Sequence, residues 1–269
     1  MYESYWGLQE KPFENTPDPR FLFQSQSTAE VYARLLYTLQ SNRGAALLTG
    51  DTGCGKTLVA RALLQQLDPE HTEIALLSTP SRSADEFLHE LLYQLGEETD
   101  LTDRNRVVHR LNEVLYDYHA AGRQTVVVVE EGQLIEDLKI LEEIRLLLNF
   151  QLNDAFLVTL LLVGQPPLAD RVRRYAPLDQ RVATRGFLRP LGREEVPAYV
   201  AHRLATAGRD QPIYTADALD LVYEYSEGVP RRVNNICDIA LVIGFSRKLE
   251  SIDADAMRRL IHAERGGEG

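Results

Sequence analysis

Apolar residues recur along this chain in two rhythms. Short unbroken runs, "AALLTG" (45–50), "TEIALLS" (72–78), "TVVVVEE" (125–131) and "FLVTLLLVGQ" (156–165), read as strands buried on both faces. Between them the apolar positions fall three and four apart, in the run from 56 and over 84–96, 104–122 and 138–150. That spacing lays one apolar stripe along a helix. "GFLRPL" (186–191) predicts a fifth, shorter strand. Strands alternating with helices predict an α/β core with a five-stranded parallel sheet. After Leu191 only helical periodicity remains. Thr215 and Asp253 suit N-caps there, and Gly208 and Gly228 suit stops. The expected division is a core over 1–191, with an aromatic, proline-rich leader over 1–44, then a helical lid over 192–265 and a frayed tail at 266–269.

Composition narrows the picture. Over 269 residues, 44% hydrophobic and 26% charged residues are ordinary for a globular chain able to bury a sizeable core. A net charge of −11 argues against a surface coated for nucleic acid, though not against a local basic strip. The opening "MYESYWGLQEKPF" lacks the basic and apolar regions of a signal peptide. The most apolar run, 155–164, is about half the ~20 residues a membrane helix needs. Cys54 and Cys237 have no metal-ligand spacing, and the six histidines are scattered. A cytoplasmic protein without direct membrane insertion is expected.

"GDTGCGKT" (50–57) fits the phosphate-binding pattern G-x-x-x-x-G-K-[ST], with a strand before it and a helix after it. Glycines let backbone amides converge on phosphate oxygens, the lysine reaches the β- and γ-phosphates, and the threonine hydroxyl ligates Mg²⁺. Gly50, Asp51, Thr52, Gly53, Cys54, Gly55, Lys56, Thr57 and the adjoining Leu58 are therefore the candidate ATP-binding set. Cys54 is either a small tolerated residue or a thiol activated by the helix N-terminus.

A phosphate loop needs a second strand bearing carboxylates, and "VVVVEE" (126–131) supplies one. The first glutamate, Glu130, would support the metal, and the second, Glu131, would polarise the attacking water. Glu130 is one methylene longer than the aspartate usual there, whereas Mg²⁺ demands near-ideal octahedral geometry. Three readings stay open at this point: a working hydrolase, an ATP-binding switch with slow turnover, and a strand end without chemistry.

With these motifs in place, the chain resembles the ExeA/GspA family of secretion-associated AAA+ ATPases over nearly its whole length. "TPDPRFLF" resembles that family's leader, "LLTGDTGCGKT" its Walker A segment and "VVVVEEGQ" its Walker B strand, with Glu131 and Gln133 matching. "LLLVGQPPL" is similar to its sensor-1 strand, which implies that Gln165 reads the γ-phosphate. "LDQRVATRGFLRPL" resembles its arginine-finger segment, making Arg181 the first candidate finger and Arg185 the second. "GVPRRVNNICDIAL" resembles its sensor-2 helix and implies that Arg231 lies over the nucleotide. The resemblance implies an ATP hydrolase assembling into a ring or filament and acting on an unidentified protein partner. Glu130 in place of Asp, and Thr28 where the family often has His, depart from its pattern. The larger secretion members continue into a membrane helix, which does not follow the lid in this sequence.

Related transposition regulators of the TniB/MuB type coat duplex DNA, and residues 171–193 hold seven arginines and one aspartate. Phosphate neutralisation by such an island would be salt-dependent. The alternative is that these arginines serve a subunit interface and the nucleotide. Duplex DNA remains a candidate partner on sequence grounds.

Overall fold

The computed structural model describes residues 1–79, 81–97, 100–153 and 155–266. The strands are β1 (Ala45–Gly50), β2 (Thr72–Leu77), β3 (Gln124–Val129), β4 (Val158–Gly164) and β5 (Val182–Leu188). The helices before β3 are α1 (Glu3–Trp6), α2 (Gln26–Gln40), α3 (Lys56–Leu64), α4 (Ala84–Gln94) and α5 (Arg104–Ala120). Those after it are α6 (Leu138–Leu147), α7 (Pro166–Arg174), α8 (Ala176–Asp179), α9 (Glu195–Thr206), α10 (Ala216–Ser226), α11 (Pro230–Ser246) and α12 (Ala254–Gly266). Among the described residues no helix is long and apolar enough to cross a membrane.

By its contacts the chain forms two units. One comprises Ser27–Asp51 and Val59–Leu188; the other comprises Met1–Gln26, Thr52–Leu58 and the chain from Arg189 onward. The contact division falls between Leu188 and Arg189. The leader is split by it, however, and its first 26 residues group with the helices. Of the tail expected to fray, Gly266 closes α12 and residues 267–269 lie outside the described residues.

The sheet unit carries five parallel strands in the order β2-β3-β4-β1-β5. Burial explains the order. The apolar runs β1 and β4 are buried throughout, and β3 at every residue but its first, as central strands covered on both faces must be. β5 lies at an edge and alternates exposed positions with half-buried or buried ones, so its "VAT" start carries no continuous apolar signal and the strand begins before the expected 186. Helix α2, inside the expected leader, packs on this edge strand. A Cβ at Gly186 would come within 2.5 Å of Val31, and the hydroxyls of Thr38 and Thr184 lie 2.6 Å apart. Phe87, Leu91 and Leu92 of α4, Leu111 and Leu115 of α5, and Ile140 and Ile144 of α6 belong to the sheet unit's apolar core.

The helical unit has its own core, into which the leader is folded. Tyr2, Trp6, Phe13 and Phe21 are buried with Val196, Val200, Val222, Ile236 and Leu241. The Trp6 indole donates to the Leu241 carbonyl at 2.9 Å, and Gly244 has no side chain because a Cβ would sit 2.7 Å from the indole ring. Buried Arg203 on α9 donates to the carbonyls of Pro12 and Glu14 and lies 4.5 Å from the Phe21 ring centre. Thr215 and Asp253 cap α10 and α12 as their sequence positions predict.

Candidate nucleotide site

β1 delivers the chain at Gly50 to a loop whose turns depend on glycine. Gly53 (φ +84°) and Gly55 (φ +89°) both take left-handed conformations on either side of buried Cys54. Alternation of this kind turns neighbouring amides toward one concavity suited to an anion. Lys56 and Thr57 open α3 directly after the loop, so the positive end of that helix adds to the anion's attraction. Asp51 and Thr52 are exposed, and Leu58 is half-buried in the first turn of α3.

Gly53 also meets the helix on which the resemblance sets sensor 2. Its carbonyl accepts the Arg231 amide at 3.2 Å, filling one of the first-turn donors that α11 cannot satisfy internally. A Cβ at Gly53 would lie 3.0 Å from both Arg231 and Val229. Arg231 thus touches the loop through its backbone and presents an exposed side chain. Cys54 and Cys237 are both buried and neither is in a disulfide, and burial pushes the Cys237 thiol well above its ordinary range.

The carboxylate strand ends differently from its apolar run. β3 stops at Val129, and the buried Glu130 extends the ladder by one bond, its amide donating to Leu77 at 2.9 Å. Glu131 then breaks away in a left-handed conformation (φ +50°, ψ +32°) that few residues with a Cβ adopt. The two glutamates therefore part: one retained at the sheet edge, the other turned out and exposed. Such a conformation costs on the order of 1 kcal/mol and concentrates at functional positions.

A bracing network beyond Glu131 escaped the sequence reading. The Gln133 amide nitrogen donates to Glu131 Oε2 at 2.6 Å, and its amide oxygen accepts the Gln165 backbone N–H at 2.9 Å. Arg171 on α7 donates to the carbonyls of Gln133 and Ile135. Gln165, which ends the β4 segment, is the N-cap residue of α7. Since β4 pairs with both β1 and β3, the carboxyl ends carrying Gly50, Gln165 and Glu130 lie side by side. Ligands of open α/β sheets bind at that edge. No part of this network follows from periodicity; only the family match of Gln133 hinted at it.

The arginine-rich stretch is largely paired within its own units. Arg181 donates to Asn149 at 3.2 Å and to the Leu148 carbonyl, and Arg185 pairs with Asp179 at 2.7 Å. Arg173 pairs with Asp170, and Arg193 with Asp220 and Glu224. Arg181 precedes β5 where its carbonyl accepts the Ala45 amide, at the end of β1 opposite Gly50. Across this six-residue strand that separation is about 17 Å.

The Thr57 hydroxyl and the Glu130 carboxylate are each oxygen donors of the kind a hard cation takes. Among the described residues, no group of three or more His, Cys, Asp or Glu could hold a metal.

A family model described as an AAA domain matches residues 39–172. General secretion pathway protein A of Aeromonas hydrophila is 40% identical over 254 residues, which are 92% of this chain and 45% of that protein. The chain thus spans a little under half the length of that relative. The ORC2 protein of Aeropyrum pernix, in ADPNP–ADP complexes, matches 94% of this chain and 71% of its own, with a TM-score of 0.72 at 17% identity. Drosophila ORC bound to DNA matches 94% of this chain and 64% of its own, with a TM-score of 0.68 at 17% identity. The RuvB Holliday junction branch migration motor of Thermotoga maritima matches 90% and 70%, with a TM-score of 0.62 at 16% identity. At these identities the structural matches speak for the fold alone. Identity of 40% over 92% of this chain, together with the AAA domain matched over 39–172, makes the chain an AAA-domain relative of general secretion pathway protein A.

Proposed function

We propose that this chain binds ATP with Mg²⁺ and hydrolyses it between neighbouring subunits, coupling the cycle to oligomer assembly or to remodelling of a protein partner of secretion type. The observation that carries this reading is the parting of the two glutamates, Glu130 retained and buried, Glu131 turned out by a positive φ. Strained left-handed residues that carry a Cβ cluster at functional positions, which favours this reading over a strand end without chemistry.

In this reading the loop amides and Lys56 bind the phosphates. Thr57 and Glu130 hold the metal, with Glu130 retracting its longer arm or acting through water. Glu131 accepts the proton of the attacking water, Gln165 and Arg231 sense the nucleotide, and Arg181 reaches into the neighbouring site. Mg²⁺ supplies charge neutralisation of the phosphates. Work on the cytoplasmic side of a membrane, beside a secretion partner, fits the similarity to general secretion pathway protein A.

A DNA-binding switch is the second reading. Five of the seven arginines in 171–193, namely Arg171, Arg173, Arg181, Arg185 and Arg193, already have partners within the protein, which weighs against an open phosphate-binding strip. A scaffold that binds ATP without turnover is the third.

Steady-state ATP hydrolysis with Mg²⁺, with and without duplex DNA, separates the three. Turnover in the wild type that falls by two to three orders of magnitude in Glu131→Gln is expected. Tight binding without turnover would leave the scaffold, and salt-sensitive, ATP-dependent DNA binding with DNA-stimulated turnover would favour the switch.

A further inference from the structure

Gln133 is held at both ends. Its amide nitrogen donates to Glu131 Oε2 at 2.6 Å and its oxygen accepts the Gln165 N–H at 2.9 Å. A primary amide offers a donor and an acceptor on one planar head. A carboxylate there would lose the donor facing Glu131, and Asn would be a methylene too short to span the two.

The surrounding backbone is shaped to admit this amide. A Cβ at Gly164 would lie 2.9 Å from Gln133 Oε1 and 2.8 Å from Leu168, and one at Gly132 would lie 2.9 Å from Leu168. The two glycines therefore let the Gln133 turn approach β4 and α7 closely. Gln165, Leu168 and Arg171 fall three residues apart, on one face of α7. They grip the turn by a backbone amide, an apolar contact and a guanidinium on two carbonyls.

We propose that Gln133 is the positioning residue for Glu131, fixing one carboxylate oxygen so that the other is presented to water, and that it ties this posture to Gln165 and α7. The inference rests on the hydrolase reading above and deepens it. A movement of Gln165 as it reads the nucleotide would pass through the Gln133 amide to Glu131, with α7 moving as one lever. Glu131, in its left-handed conformation, is otherwise exposed and needs such a tether to keep one rotamer.

The test compares kcat and the ATP dissociation constant for wild type, Glu131→Gln, Gln133→Met, Gln133→Glu and the double variant Glu131→Gln/Gln133→Met. Gln133→Met keeps the length and loses both hydrogen bonds, whereas Gln133→Glu keeps the acceptor for Gln165 and loses the donor to Glu131. Both single variants at Gln133 are expected to lower kcat at least about tenfold, the scale of a misplaced catalytic group. Their ATP dissociation constants should stay within about twofold of wild type, because the nucleotide-binding loop is untouched. In the Glu131→Gln background the Met substitution should cost no further turnover, which is the signature of one shared pathway. Wild-type kcat in Gln133→Glu would reduce Gln133 to a brace for β4 and overturn the inference, as would a rise in kcat or an additive loss in the double variant. Absence of wild-type turnover, or full turnover in Glu131→Gln, would overturn the hydrolase reading and this inference together. Turnover lost in Glu131→Gln but kept in both Gln133 variants would overturn this inference alone.

Discussion

Gly53 joins two requirements at one atom: a left-handed backbone and space for the first turn of α11. Alanine there would add about 1–2 kcal/mol for the positive φ and press its methyl to 3.0 Å from Arg231 and Val229. The loop's anion-binding shape would then be available only at that cost. Because 1.4 kcal/mol is tenfold in affinity, Gly53→Ala is expected to weaken ATP binding about tenfold with Lys56 and Thr57 intact. Titration calorimetry measures it, and unchanged affinity would show that the loop does not need the left-handed glycine. Gly55 has the same sign of φ but open space around it, so its alanine variant carries the backbone cost alone. The sequence pattern called for glycine at Gly50 and Gly55 only, and Gly53 stood among the unspecified positions of the motif. Its second duty, capping α11, depends on residues far along the chain and could not be read locally.

Elements were readable where one physical signal controlled them. The runs at β1, β3 and β4 are apolar because both sheet faces are covered, and all three formed where expected. Helix α7 carries no such signal: "PPLADRVRR" buries only Leu168 and Val172, and its arginines suggest a nucleic-acid strip, whereas Arg171 grips backbone carbonyls. The leader was recognisable only by resemblance, since its aromatics follow no period. Its energetic role is nevertheless large, because Trp6 is 2% exposed and hydrogen-bonded to Leu241 on α11. Trp6→Ala removes an indole from a close-packed core at about 3–5 kcal/mol and leaves the Leu241 carbonyl one partner short. The helical unit is expected to lose most of its stability, read as a drop in chemical-denaturation midpoint. A loss below about 1 kcal/mol would mean that the leader merely decorates the helices.

At the scale of the whole molecule, the decisive feature is where the sheet ends face. Gly50, Glu130 and Gln165 occupy the carboxyl edge, whereas Arg181 sits at the amino edge beside Ala45, about 17 Å away along β1. An arginine so placed cannot serve the carboxyl edge of its own sheet, so on the proposed reading any transition-state role must be in a neighbouring copy. The exposed edge strand β5, with Arg185 and a Phe187 that is 43% exposed, is a surface that association would cover. Removing a finger supplied in trans costs on the order of 10³-fold in turnover, so Arg181→Ala should bind ATP normally and hydrolyse it hardly at all. Glu131→Gln should behave likewise for the opposite reason, since it keeps the finger and lacks the base. Mixed in equal amounts, the two inactive variants restore a complete site wherever an Arg181→Ala subunit, with its own Glu131, receives the finger of a Glu131→Gln neighbour. In a head-to-tail assembly with random order this is about one interface in four, and the mixture should recover roughly that fraction of wild-type turnover. Pre-mixed and separately assembled samples distinguish subunit exchange from residual activity. Recovery in the mixed sample alone would show that the catalytic unit is a pair of neighbours. A mixture no more active than its components would return Arg181 to its visible role, holding Asn149 and the Leu148 carbonyl at the amino edge of the sheet.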